Sequence, residues 1–201
     1  MLMNTIEYWG MNNPLRAFVQ RHYEAPRLLR LARGDVRDIL EIGCGQGVGA
    51  RIVCDRLRPR RYVGIDLDPR MIQRARKRSG NLANASFSEG NVECLDFPDA
   101  SFDLVVNFAI LHHVPDWRSA LAEIHRTLRA GGEFLFEDLP AETWERGIGI
   151  PSKMISDHPY EQMFSKPEFV DELARLGFDV EIHENRPLSL YHVWGRAEKR
   201  S

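Results

Sequence analysis

Cysteine is scarce in this chain of 201 residues: Cys44, Cys54 and Cys94 have no metal-ligand spacing, and three thiols cannot all pair internally. A disulfide scaffold and a zinc module are therefore excluded. Long apolar runs are missing too, and the N-terminus does not read as a secretion signal, so the expectation is a protein of the reducing cytoplasm with no membrane span. Neither sign of charge is in excess: 27 Lys and Arg against 29 Asp and Glu leave a net charge of −2, which gives no global attraction to nucleic acid or anionic membrane. Internal repeats and low-complexity tracts are also absent. With 43% hydrophobic residues, the length suits a single domain with one well-buried core.

One stretch departs from the even charge balance. Arg51, Arg56, Arg58, Arg60, Arg61, Arg70, Arg74, Arg76, Lys77 and Arg78 crowd together with only Asp55, Asp66 and Asp68 against them. The reading adopted is that they solvate the outer faces of two surface helices, with an RNA-binding surface as the minority alternative.

The chain is richest in information where an apolar strand runs into alternating glycines, Ile39-Leu40-Glu41-Ile42-Gly43-Cys44-Gly45-Gln46-Gly47-Val48-Gly49-Ala50. A strand, a glycine turn and a helix make a seat for a nucleotide-like cofactor, because the bare backbone approaches the ligand and the helix start aims unpaired N–H groups at it. Cys44 reads as a small packing residue there, not a nucleophile. The loop alone does not separate S-adenosylmethionine (SAM) from a dinucleotide, since Gly45-x-Gly47-x-x-Ala50 also fits the looser dinucleotide pattern.

Strand-like runs recur at Asp38 to Ile42, Tyr62 to Ile65, Ala85 to Ser88, Phe102 to Asn107 and Glu133 to Glu137, mostly separated by helical segments. This alternation predicts a parallel sheet with helices on both faces. Asp68-Pro69 opens one helix, Asp116 caps another, and Ser165-Lys166-Pro167-Glu168 is a capping box for a third that Gly177 stops. Beyond Gly177 the period becomes two, through Phe178, Val180 and Ile182, a turn at Asn185-Arg186-Pro187, and strand-like residues to Trp194. So short a connection predicts an antiparallel pair. Residues 1–34 hold Tyr8-Trp9-Gly10 and a helix opened by Asn13-Pro14 and stopped at Gly34.

These motifs, taken in order, resemble the class I SAM-dependent methyltransferases. Glu41-Ile42-Gly43-Cys44-Gly45-Gln46-Gly47 is similar to their first motif. Phe102-Asp103-Leu104-Val105 with Leu111-His112-His113-Val114 is similar to the signature of the small-molecule, quinone-biosynthesis-like (Methyltransf_11-type) branch. Leu128-Arg129-Ala130-Gly131-Gly132 resembles the Leu-Lys-Pro-Gly-Gly segment, with Ala130 in place of proline. The resemblance implies an α/β, Rossmann-like, seven-stranded and mostly parallel sheet with an antiparallel C-terminal hairpin. It divides one domain into an N-terminal lid (1–34), a SAM-binding core (35–138), a substrate-side insertion (139–165) and a C-terminal helix and hairpin (166–201).

For the cofactor, the resemblance implies contacts from Glu41, Gly43, Cys44, Gly45, Gly47, Asp66, Leu67, Asn91, Val92 and Asn107. Asp66 ends the second strand, where a carboxylate accepts hydrogen bonds from both ribose hydroxyls. Asn91 stands where the family has an acid facing the adenine amino group, and its amide oxygen retains that accepting role. Leu67 and Val92 suit either the two faces of the adenine or plain core. The Asn-Pro-Pro-aromatic and Pro-Cys motifs of base methylation are lacking, which argues against a DNA substrate.

Because the sulfonium methyl of SAM is already activated, the protein must chiefly align a nucleophile and exclude water, so metal-independent transfer to a small organic acceptor is expected. His112 and His113 are the candidate proton acceptors, with shaping of the loop as the alternative for each. Tyr8, Trp9, His22, Trp144, His158 and Tyr160 are candidate acceptor-binding residues or, equally, packing under loops. The rival functions are a SAM-binding regulator without catalysis and an NAD-dependent oxidoreductase; a monomer and a homodimer are both compatible with the chain.

Overall fold

The computed structural model describes residues 13–145, 159–185 and 191–200. Seven strands form one sheet: β1 (Asp38–Ile42), β2 (Arg61–Asp66), β3 (Ala85–Glu89), β4 (Phe102–Phe108), β5 (Leu128–Asp138), β6 (Phe178–Asn185) and β7 (His192–Lys199), in the order β3-β2-β1-β4-β5-β7-β6. β1 pairs parallel with β2 and β4, β2 with β3, and β4 with β5; β7 runs antiparallel to both β5 and β6. The parallel sheet and inserted antiparallel strand match the sequence expectation.

Central strands are apolar because both faces are covered. All five residues of β1 are buried. On one face β1 and β4 meet Ala50 and Val53 of α3 (Val48–Leu57) and Ile72 and Ala75 of α4 (Pro69–Ser79). On the other face they meet Leu121 and Ile124 of α5 (Trp117–Thr127) and Phe169 and Leu173 of α6 (Lys166–Arg175). The helix starts are fixed by side-chain caps on otherwise unpaired N–H groups. Asp68 accepts from Arg70 N, Asp116 from Ser119 N, and Ser165 and Glu168 form the reciprocal capping box.

Two boundaries differ from the sequence reading. β5 starts at Leu128 instead of Glu133, because Leu128 pairs with Phe102 before the register shifts across the Gly131-Gly132 segment. The N-terminal helical chain comprises α1 (Pro14–Val19), a π-helical turn (Gln20–Glu24) and α2 (Ala25–Leu28), and so ends well before Gly34. The expected turn at Arg186-Pro187 lies outside the described residues. No described helix is long and apolar enough to cross a membrane.

The basic stretch is largely engaged within the molecule. Arg60 and Arg61 reach Asp38, Arg70 holds Asp68, Arg76 donates to the Phe87 carbonyl, and Arg78 and Arg51 donate to Gln46 and Asn81.

Candidate cofactor and transfer site

A cleft opens at the carboxyl ends of β1, β2 and β4, where the strand order reverses between β1 and β4, the place where open α/β sheets bind ligands. The loop leaving β1 is tied to β2 by Cys44 N donating to the Ile65 carbonyl at 2.8 Å. At Gly45, φ is +50° and an added Cβ would meet no atom within 4 Å. The loop therefore presents bare backbone to open space, a cradle that a side chain would obstruct.

Asp66 forms the lip of this cradle. One carboxylate oxygen accepts from Gly45 N at 2.8 Å and the other from Asp68 N at 2.9 Å, so the group is fixed by two backbone amides while each oxygen keeps a further lone pair. Burial pushes its pKa up, against the pull of those two amides. Beneath the loop, Glu41 is buried and accepts from the Tyr62 hydroxyl. Burial pushes the Glu41 carboxyl up to about 8, with the charge of Asp66 acting in the same direction. Its carboxylate fills the space beside Gly49 that a Cβ would need.

At the other end, Leu67 is 44% exposed and Val92 is 7% exposed, and both line the cleft. Asn91 beside them folds its side chain into a local turn, accepting from Glu93 N at 3.1 Å and donating to the Glu93 carboxylate. The wall follows β4. Ala109 takes the left-handed conformation at φ +58° while donating to the Glu137 carbonyl at 2.7 Å, an uncommon backbone state for a residue with a Cβ. Ile110, His113 and Val114 continue the wall, and α1 adds Arg16 and Ala17 opposite, with Gln20 following.

One layer behind that wall sits a buried polar group. The Asp138 carboxylate is fully buried at the end of β5. It accepts from Asn107 Nδ2 at 2.7 Å, Leu111 N at 2.9 Å, His112 N at 3.3 Å and Leu139 N at 2.8 Å, and lies 2.6 Å from His112 Nδ1. Burial alone would raise its pKa; the facing His112 and the amides hold it below the ordinary carboxylate value.

The structure thus brings Glu41, Gly43, Cys44, Gly45, Asp66, Leu67, Asn91, Val92 and His113 to one cleft. Gly47 caps α3, and Asn107 and His112 lie behind the cleft wall. Cys44 is buried with its thiol pushed well up by that burial, as a packing residue would be. His22 is exposed on the π-helical turn, its ring 4.4 Å from that of Phe18, and does not line the cleft. Trp144 lies 6.4 Å from the His112 ring and 5.6 Å from that of Tyr160. Tyr8, Trp9 and His158 lie outside the described residues.

Sequence reasoning passed over Arg16, Gln20 and Asp138. Asp138 had a usable signal, since it ends the apolar run Phe134-Leu135-Phe136 as Asp66 ends β2. Among the described residues, no group of three or more His, Cys, Asp or Glu is arranged to hold a metal ion.

Residues 40–136 match the methyltransferase domain family Methyltransf_11. That segment is a class I SAM-dependent methyltransferase domain. It is 38% identical over 132 residues to a fatty-acid O-methyltransferase of Mycolicibacterium smegmatis, covering 62% of this chain and 48% of that one. It is 36% identical over 128 residues to the phthiotriol/phenolphthiotriol dimycocerosates methyltransferase of Mycobacterium tuberculosis, covering 64% and 46%. The chain spans about half the length of these curated relatives. A SAM-dependent methyltransferase structure from Mesorhizobium loti shares the fold at a TM-score of 0.72 and 22% identity, over 88% of this chain and 97% of that one.

Proposed function

We propose that this methyltransferase carries a methyl group from SAM to a small organic acceptor with apolar, lipid-like parts, by in-line displacement and without a metal. The observation that carries the reading is the Asp66 carboxylate, clamped by Gly45 N and Asp68 N at the lip of the same cleft that His113 walls. SAM supplies an electrophilic methyl on a sulfonium. The work left to the chain is to hold the ribose at Asp66, seat the adenine between Leu67 and Val92 near Asn91, align the acceptor and exclude water.

His112 and His113 are the proposed proton acceptors, supported by the place of His113 in the wall and of His112 directly behind it. Acceptor choice is assigned to the lid (1–34), with Tyr8 and Trp9 but not the exposed His22, and to the insertion (139–165), with Trp144, His158 and Tyr160. Arg16 and Gln20 of the lid line the cleft, and the Trp144 ring, with Tyr160 against it, stands 6.4 Å from that of His112; both facts support that division. The lipid-like acceptor is carried over from the two mycobacterial relatives, whose names specify a fatty acid and a dimycocerosate. A cytoplasmic setting and a monomer or homodimer complete the reading.

Calorimetric titration with SAM and S-adenosylhomocysteine, with NAD as control, tests the cofactor. Both sulfur ligands should bind, and Asp66→Ala should weaken them by at least about tenfold, the value of roughly one lost charged hydrogen bond. Binding of NAD in their place would overturn the assignment. A radiolabelled-methyl screen of fatty acids, alcohols and phenols then separates enzyme from regulator, and activity abolished by chelator but restored by magnesium would contradict metal independence.

A further inference from the structure

Among the described residues, the large apolar side chains left exposed are confined to the lid and the cleft wall. Leu15 is 70% exposed, Phe18 60% and Tyr23 50% on the lid's helical chain, and Leu67, at 44%, lines the cleft. Single exposed hydrophobes scattered over a surface need no explanation, but their grouping in one region does. The two faces of the lid differ. Arg16, Ala17 and Gln20 line the cleft. Leu15 and Phe18, three residues apart, share an outward stripe, and His22 belongs to it, since its ring lies 4.4 Å from that of Phe18.

Charge is concentrated in the same segment. Residues 13–34 hold five arginines against one glutamate, a local charge of +4 in a chain whose net charge is −2. Arg16 is taken up by Glu24, Arg27 by Trp194 and Glu137, and Arg33 by Glu181. Arg21 and Arg30 are exposed and form no ion pair among the described residues. Arg21 lies one turn after Phe18, beside His22. A second copy of the chain fits this face poorly, because a two-fold contact would set the same unmatched arginine against itself. Nucleic acid would use the cations but gain little from Leu15. An anionic bilayer uses both, since apolar side chains enter its headgroup layer while arginines meet the lipid phosphates.

We propose that the outer face of the lid, built on Leu15, Phe18 and Arg21 and flanked by Tyr23 and Arg30, is a docking surface for the anionic headgroup layer of a membrane. The helical chain then lies in the plane of the interface, with its outward stripe in the lipid and its inner face over the cleft. Docking brings the cleft mouth against the bilayer, so that an acceptor with an apolar body need not cross water to reach the transferred methyl. The inference goes beyond the methyl-transfer reading and does not require it, because docking is a property of the chain without cofactor or acceptor.

The test is flotation of the full chain with vesicles of phosphatidylcholine containing about one third phosphatidylglycerol, against vesicles of phosphatidylcholine alone. The chain should float with the anionic vesicles, at least about fivefold less with the neutral ones, and several-fold less when salt is raised to about 0.5 M. Leu15→Ser combined with Phe18→Ser should lower partitioning by at least about tenfold, and Arg21→Gln by roughly fivefold, the effect of one charge at an anionic surface. Arg56→Gln removes an equal charge from the last turn of α3, away from the lid, and should change partitioning by less than about twofold. SAM affinity in solution should stay within about twofold in the lid variants, since none of the three residues lines the cleft. Failure of wild type to float, equal partitioning into both vesicles, or an equal loss in Arg56→Gln would overturn the proposal. So would a wild-type dimer in sedimentation velocity that Leu15→Ser with Phe18→Ser converts to a monomer, because a second copy would then cover the face. Each of these results leaves the methyl-transfer reading intact, whereas loss of SAM binding by wild type would remove that reading and leave the docking surface standing.

Discussion

Glu41 is a glutamate at the centre of the sheet, and burial makes it a pH-sensitive element of stability. In the unfolded chain it titrates near 4.5, whereas burial raises it to about 8 in the fold. The folded state therefore holds the proton more tightly, and the stabilisation it brings is present in full below pH 4.5 and is lost as pH rises towards 8. A shift of that size corresponds to a few kcal/mol, on the order of 1.4 per unit. Glu41→Gln keeps an oxygen for the Tyr62 hydroxyl and removes the titration. Thermal melts of the ligand-free protein should lose stability between pH 5 and pH 8 in wild type and vary much less in the variant. Equal slopes would show that Glu41 does not set this dependence. The acid itself was legible in the first motif, but its environment was not, because the partner Tyr62 comes from the next strand and only the parallel register brings the two together.

Elements with their punctuation written locally were readable in advance. α4 with Asp68-Pro69, α5 with Asp116 and α6 with its capping box begin where their caps stand. The N-terminal helical chain was read less well, since distant contacts seat it. The Arg27 guanidinium lies 3.7 Å above the Trp194 ring of β7 and donates towards His192 Nδ1, while His192 Nε2 is 3.0 Å from the buried Glu137 carboxylate of β5. No local pattern announces a cation over an aromatic ring at the far end of the chain. Arg27→Ala should cost about 1–2 kcal/mol, the range of a largely desolvated cation–π contact, felt mainly by this element. Hydrogen exchange should speed up across residues 14–28 while β1 and β4 keep their protection. SAM affinity should fall severalfold, because Arg16 and Gln20 of the same element line the cleft. Exchange that rises equally in β1 and β4 would mean that the element does not open separately.

At the scale of the whole molecule, the two ends of the sheet are given to different work. The carboxyl ends carry the glycine loop, Asp66 and the His112–Asp138 pair; the amino ends carry an ionic cluster with no part in the cleft. Asp38, at the start of β1, faces Arg60 at 2.8 Å, Arg61 at 3.2 Å and Arg129 at 3.0 Å, and Arg129 also reaches Asp103 at 2.5 Å. Arg60 and Arg61 of the basic stretch thus have an architectural partner, one that charge counting could not locate because Asp38 lies outside the run. Burial tends to raise the Asp38 pKa, but the arginines hold it below the ordinary aspartate value. Its contribution is therefore present above that ordinary value and lost as pH falls through the depressed one. Asp38→Asn should cost about 1–3 kcal/mol at pH 7, which for a chain of this size lowers Tm by roughly 3–8 °C. The gap between variant and wild type should close as pH falls below the ordinary aspartate value and through the depressed one, as the wild-type carboxyl takes up its proton. SAM affinity, measured well below either melting temperature, should stay within about twofold, because the substitution lies at the opposite end of β1 from the glycine loop. A loss of SAM affinity in step with the loss of stability would mean that the two ends of the sheet are coupled through β1 and do not act separately.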